Sequence, residues 1–228
     1  MTSAADELQQ ITPVVEDYLK TIYSLAQKKE SGQVGTVALA EALNIKPASV
    51  TAMLKTLAEL KLVEYAPYYG VTLSGAGMKI ALEVVRHHRL IELYLVEALG
   101  FSWDEVHEEA EALEHVISEK LEARIAAYLG HPTLDPHGDP IPTLEGDIEH
   151  SPETNTLATL TPRQRGRIVR VSDQHTERLR YLSELGLVLG VRVQVVAVAP
   201  FEGPVTVKVG KNQFAIDRRL AETIAVEM

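Results

Sequence analysis

The apolar residues of this chain change their spacing once, across a stretch rich in proline. Up to about residue 130 they recur at three and four residues, which puts side chains on one face of an α-helix. From Leu157 onward they alternate over short runs separated by glycines, the texture of β-strands. Between the two lie Pro132, Pro136, Pro140, Pro142 and Pro152, with Gly138 and Gly146 and little apolar periodicity, which reads as a linker. The expected fold class is mainly α with a small β domain (α+β). It divides into segments 1–74, 75–130, a proline-rich linker over 131–156, and 157–228.

In the first segment, Thr12 caps a predicted helix over 13–29, with Val15, Tyr18, Leu19 and Ile22 on its apolar stripe. Thr36 is placed to cap a short helix over 37–43. Asn44-Ile45-Lys46 is a tight turn, and Pro47 opens a second helix to about Leu60, which is the helix-turn-helix pattern. Leu62–Tyr65 and Val71–Leu73 flank Ala66–Gly70 as a hairpin, so 1–74 reads as a winged helix-turn-helix. Ser74 caps a long helix over 75–99. Its apolar residues lie on two faces, Ile80, Val84, Ile91 and Leu95 on one, Leu82, Val85, Leu93 and Val96 on the other. A helix apolar on two faces is buried from two sides, one by its own core and the other by a partner chain. Ser102-Trp103-Asp104-Glu105 has the form of a capping box and predicts one helix over 103–129. Strands over 166–171, 192–198, 205–209, 213–216 and 223–226, with a helix over 176–185, suggest a small barrel.

Charge is unevenly spread. Of 22 basic and 32 acidic side chains, residues 76–150 hold 5 and 16, a local −11, whereas 151–228 hold 11 and 8, a local +3. An acidic middle is either a solvated helical face or a place that becomes less repulsive when a cation fills it. There is no cysteine, which excludes disulfides, a thiol nucleophile and thiolate metal ligation. There is no run of 18 uncharged apolar residues, and Met1–Gln10 lacks the basic-then-apolar signature of a signal peptide. A cytoplasmic protein with no membrane partner is expected. No G-x-G-x-x-G, P-loop or G-x-S-x-G motif is present, so no small-molecule substrate is expected.

One constellation carries chemistry. His107, Glu111, Glu114 and His115 fall at i, i+4, i+7 and i+8, one face of the helix predicted over 103–129. His88 and Glu92 are again i, i+4 on the preceding helix, and a short connection makes the two helices antiparallel neighbours. Imidazole and carboxylate without thiolate suit a divalent first-row cation, toward Mn²⁺ or Fe²⁺. His87 is read as a packing residue. The alternative from another class is a metalloenzyme using the same His/Glu cluster, which requires an open coordination position and a substrate cleft. The string from His107 to Glu111 imitates a zinc-protease motif but ends in glutamate, and no Glu-x-x-His of the di-iron kind occurs in the helical region.

The chain resembles the metal-dependent transcriptional regulators of the diphtheria-toxin-repressor and manganese-transport-regulator type over nearly its whole length. The resemblance is carried by Glu16–Tyr23, Ala40–Leu57, His88-Arg89-Leu90, Val106–Glu111, Leu113–Ser118 and Asp135–Pro142. Leu182–Gly190 and Ala221–Val226 are similar to the SH3-like domain of the iron-type members and of ferrous-transport accessory proteins. The resemblance implies a DNA-binding repressor and not an enzyme, a homodimer on a palindromic double-stranded operator. It implies a helical metal-binding and dimerisation domain and a C-terminal SH3-like barrel. It also implies a primary metal site of Asp17, Glu111, Glu114 and His115 and an ancillary site of His88, Glu92 and His107. Carboxylates at Asp17 and Glu111, where iron-type members carry sulfur, point to Mn²⁺ with Fe²⁺ as the alternative. Lys20 stands where manganese-type members have a second carboxylate. His175, beside Glu177 and Arg178, is the C-terminal candidate for completing the ancillary site. The expected DNA contacts are Thr36, Lys46, Ala48, Ser49, Thr51 and Lys55, with Tyr68 and Tyr69 at the hairpin tip.

Overall fold

The computed structural model describes residues 11–27, 29, 31–148 and 154–228. The polar N-terminal stretch 1–10, Lys28 of the first predicted helix, and 149–153 of the proline-rich stretch lie outside the described residues. The described residues form two compact units. One runs to His87 and takes in Pro142–Asp147; the other comprises His88–Ile141 and the described part of Ile148–Met228. Among the described residues no helix is long and apolar enough to cross a membrane.

The first unit begins with α1 (Pro13–Ala26), whose Thr12 side chain accepts from the Val15 N–H. Its predicted stripe is the buried face. Helix α2 (Thr36–Ala42) is capped by Gly35 without a side-chain bond, so Thr36 is the first helical residue and not the cap. Helix α3 (Pro47–Glu59) follows the turn at Asn44, which takes a positive φ of 53°. Strands β1 (Val63–Ala66) and β2 (Gly70–Leu73) pair antiparallel, and Val34 joins β2 through two backbone bonds with Val71. This is a winged helix-turn-helix. Helix α4 (Gly75–Leu99) starts where the Ser74 hydroxyl accepts from the Gly77 N–H. A Cβ on Gly77 would stand 2.0 Å from the Leu62 carbonyl oxygen, so only glycine lets α4 approach the wing this closely.

In the second unit the helix predicted over 103–129 is two helices, α5 (Val106–Leu113) and α6 (Glu119–Tyr128). Ser118 stops the first from continuing, because its hydroxyl accepts from Leu121 N and caps α6, with Glu119 and Glu122 in the first turn. Only the return half of the capping box forms. Glu105 accepts from the Ser102 N–H and hydroxyl, and α5 begins after it. Ile91 and Leu95, on one predicted face of α4, pack with Val106 and Ala110 of α5, while Leu90 packs with Ile125 and Ala126 of α6. Leu93 and Val96, on the other predicted face, are half-buried.

The C-terminal part is a six-stranded antiparallel sheet in the order β3-β8-β4-β5-β6-β7. Its strands are β3 (Asn155–Thr156), β4 (Arg165–Val171), β5 (Arg192–Val198), β6 (Val205–Val209), β7 (Asn212–Ile216) and β8 (Ile224–Glu227). Helix α7 (Thr176–Glu184) and the short α8 (Arg218–Glu222) complete it. Leu179, Leu182, Ile168, Val195, Val207 and Ile216 are fully buried in one core, which alternation along the strands predicts. Two elements have no sequence expectation, β3 and α8; both are too short for periodicity to register.

Candidate metal centre and DNA-reading surface

Helix α4 points His88 and Glu92, one turn apart, at the start of α5. His88 Nε2 lies 3.0 Å from Glu92 Oε1 and 3.2 Å from His107 Nδ1, and His107 Nδ1 lies 3.5 Å from the same carboxylate oxygen. Ligands bonded at about 2.1 Å to one cation stand roughly 3.0–3.5 Å apart, so this triangle has the dimensions of a coordination face. The other ring nitrogen of His88 is 2.5 Å from Glu114 Oε2 and 3.9 Å from Glu111 Oε1. His107 Nε2 is 3.8 Å from Glu111, and His115 Nε2 is 3.4 Å from Glu114 Oε1. Among the predicted primary ligands, Glu114, just past the helix end at Leu113, is buried, and His115 and Glu111 are half-buried. Asp17 is half-buried on α1 in the other unit.

The proline-rich stretch, expected as a linker, supplies two buried side chains capable of binding a metal, Asp135 and His137, which the spacing of the sequence does not single out. Asp135 Oδ1 accepts from the His137 and Asp139 N–H groups and folds 135–139 into a tight turn. Gly138 has φ +83°, and a Cβ there would stand 2.1 Å from the Val169 carbonyl oxygen, so the turn lies directly on β4. His137 is anchored at both ends: its ring Nε2 is 2.8 Å from the Trp103 carbonyl oxygen, and its own carbonyl accepts from Val171 N. The Trp103 indole stacks on the imidazole and donates to the Ser183 hydroxyl of α7.

These bonds leave His137 Nδ1 3.6 Å from Glu92 Oε2, with Asp135 Oδ2 near enough to make a second three-ligand group. All three atoms are buried and lack a hydrogen-bond partner among the described residues. Buried polar atoms are rarely left unbonded, and here three converge on one point. Arg89 Nε stands 3.7 Å from Asp135 Oδ2, and the three donor atoms lie close enough together to hold a cation between them. Glu92 faces both groups, Oε1 toward His88 and His107, Oε2 toward His137. Its charge explains the proton chemistry. Burial pushes the Glu92 carboxyl up, but the His88 charge and the neighbouring imidazoles of His107, His137 and His88 hold it well below the usual carboxylate range. Burial lowers the His137 imidazole, but the adjacent Glu92 carboxylate, with Asp135 and the Trp103 carbonyl, raises it to about 9. Burial and the charges of Asp139 and Glu92 raise Asp135 to about 7. The signal for this group is in the sequence: Asp-Pro-His-Gly-Asp-Pro is a turn motif with a histidine at its centre.

His175 is not brought to any group of three potential ligands. It is exposed at the start of α7, where the Asp173 carboxylate accepts its N–H and pairs with Arg178 at 2.6 Å. That local turn holds the segment by itself. The segment just before α5 also contacts α7, Trp103 with Ser183 and Asp104 with Arg180 at 3.2 Å.

On the DNA-reading side, Lys46, Ala48, Ser49 and Lys55 are exposed on and before α3. Thr51 is half-buried and donates its hydroxyl to the Pro47 carbonyl at 3.0 Å, so that group is occupied within the helix; Thr36 is also half-buried. Tyr68, with φ 71°, and Tyr69 are exposed at the wing tip.

Three family models match: the iron-dependent repressor N-terminal DNA-binding domain over 10–71, the iron-dependent repressor metal-binding and dimerisation domain over 74–143, and the FeoA domain over 155–228. The iron-dependent repressor IdeR of Mycobacterium tuberculosis is 31% identical over 96% of this chain and 99% of its own. The HTH-type transcriptional regulator MntR of Oceanobacillus iheyensis is 36% identical over 47% of this chain and 71% of its own. The solved structure of a manganese-dependent transcriptional repressor in complex with manganese superposes with a TM-score of 0.85, at 38% identity, over 94% of this chain and all of that one. The chain belongs to the iron-dependent repressor family, which includes the manganese-dependent regulators and whose members are transcriptional repressors and not enzymes.

Proposed function

We propose that this protein is a cytoplasmic, homodimeric repressor that Mn²⁺ activates for binding a palindromic operator. The observation that carries the metal requirement is the pair of three-ligand groups sharing Glu92. Around them are oxygen and imidazole donors only, a set suited to a hard or borderline divalent cation. His88, Glu92 and His107 form one group, and Glu92, Asp135 and His137 extend it. Asp17, Glu111, Glu114 and His115 form the primary, activating site. Asp17 belongs to the helix that packs with the DNA-reading elements, so a cation held by all four ties metal occupancy to their placement. By linkage the cation activates only as far as it binds the DNA-competent form more tightly. The dimer forms through the α5–α6 region, where Leu113, Val116, Leu121 and Tyr128 are exposed although apolar. Two recognition helices of such a dimer then meet major grooves one turn, roughly 34 Å, apart.

The carboxylates at Asp17 and Glu111 favour Mn²⁺, and the imidazoles at the shared group keep Fe²⁺ as the second reading. The deciding experiment is a duplex selected from a random pool by the Mn²⁺-loaded protein, then titrated separately with Mn²⁺, anaerobic Fe²⁺, Co²⁺ and Zn²⁺. Activation by Mn²⁺ at the lowest free concentration supports the manganese reading, and a stronger response to Fe²⁺ replaces it with the iron reading. DNA affinity independent of every metal overturns both.

A further inference from the structure

We propose that the outer face of the C-terminal sheet is a second phosphate-binding surface, which binds the backbone of duplex DNA. The inference rests on the DNA-binding reading above. Strand register places Arg165 opposite Gln194 and Gln194 opposite Lys208 in one row, and Glu227 opposite Arg167 and Arg167 opposite Arg192 in the next. Neighbouring strands lie about 4.8 Å apart and alternate residues about 6.7 Å along a strand, so four cations occupy a patch little wider than one strand pair. Gly166, Ile168, Val193 and Val207 point the other way and are buried, which fixes the basic side chains on the exposed face. They rim an open cleft of about 660 Å³.

Three features mark this as a binding face. Arg167 stands directly across from Arg192, and like charges opposite one another destabilise a sheet. The fold carries that cost with a single acid in the cleft, Glu227, which reaches Arg167 at 3.3 Å. Arg165, Arg192 and Lys208 have no ion pair among the described residues. The face also lies in the part of the chain that is net positive, within a protein of net −10.

The chemistry selects the occupant. Guanidinium forks and a glutamine amide suit phosphate oxygens. No aromatic side chain lines the cleft, so nothing stacks a base and a single strand or free nucleotide has no platform. An open face of fixed cations fits a duplex backbone, which sets position and affinity without reading sequence.

The test uses the full chain and a non-operator duplex of about 40 base pairs, without added metal, between 50 and 200 mM KCl. In the variant Arg165→Gln/Arg167→Gln/Arg192→Gln/Lys208→Gln, the slope of log K against log[KCl] is expected to become shallower by about 0.9 per lost contact, roughly 3 to 4 in all. Affinity at 50 mM is expected to fall about tenfold or more. Glu227→Gln keeps every cation and is expected to tighten binding. Unchanged slope and affinity in a folded quadruple variant overturn the proposal. If that variant melts early, Glu227→Gln decides alone, and no change there overturns it. Because this arm needs no metal, it reads the face whatever the metal titration of the operator shows. An acidic protein partner is the reading that replaces DNA if the quadruple variant loses self-association or protein capture while its DNA binding is intact.

Discussion

The metal-capable cluster and the recognition helix carry function in opposite physical states. Glu92, Asp135 and His137 are buried, anchored by named bonds on three elements, and left with unsatisfied atoms that converge. Helix α3 is anchored by Val50, Leu54 and Leu57 and offers the opposite face to water. Burial makes a polar group expensive, so an unsatisfied one identifies its missing partner. Exposure makes it cheap, so an exposed lysine or serine identifies little by itself. The cluster therefore points to a ligand class from geometry alone, whereas the helix needs the family to say what it meets.

Four experiments sharpen or break that contrast. The largest effect is expected of Glu92→Gln, which keeps shape and removes the charge both three-ligand groups share. Mn²⁺ affinity, read by competition with a fluorescent chelator, should fall by more than the 10- to 100-fold (order of magnitude) that follows loss of a group that only orients a ligand. A change within about threefold would remove the cluster's claim to be a metal site. Gly138→Ala comes next. A side chain at φ +83°, driven into the Val169 carbonyl, should cost about 3 kcal/mol or more in urea unfolding. Normal stability would show that the 135–139 turn is not held against β4 as described.

The third concerns pH in the metal-free protein. His137 is raised from 6.5 to about 9 and Asp135 from 3.8 to about 7. A raised pKa means stability present below the unfolded value and lost as pH climbs through the folded one. The Asp135 contribution is therefore lost between pH 3.8 and about 7 and that of His137 between 6.5 and about 9, so melting temperature should fall between pH 6.5 and 9, and His137→Phe should flatten that fall. The same protons compete with a cation, so metal affinity should rise across this range. A melting temperature that rises toward pH 9 would contradict the assignment. The smallest effect belongs to the helix. Lys55→Ala should weaken operator binding a few-fold and reduce the salt slope by about 0.9, leaving sequence preference intact. Altered preference instead would make Lys55 a base reader.

Local order was largely legible in the residues. Thr12 before Pro13 starts α1, and Ser74 starts α4, because a hydroxyl there satisfies an N–H the helix leaves unbonded. The strands of the C-terminal sheet follow from alternation, which a one-sided core imposes. The break between α5 and α6 was not read. Its signals are Ser118 as cap with Glu119 and Glu122 behind it, and they lie inside a stretch whose apolar spacing continues across the turn. The consequence reached the site, since Glu114 and His115 lie past the end of α5 and not on its helical face. Thr36 and Thr51 show the same limit at smaller scale, as a hydroxyl's partner depends on a few degrees of backbone.

The sequence by itself determined the order of elements, the absence of thiolate ligands and the presence of His88 with Glu92, and of His107 with Glu111, at spacings that share a helix face. These follow from local periodicity and donor type, which need no knowledge of distant contacts. Only the tertiary structure decided which residues of α4 pack on α5 and which on α6, that His175 stays at the surface, and that Asp135 and His137 come to Glu92 from a stretch resembling a linker. That last convergence joins residues more than forty positions apart. It rests on a glycine that permits a turn against β4 and on an indole that holds an imidazole in place, contacts that form only when distant segments are packed together.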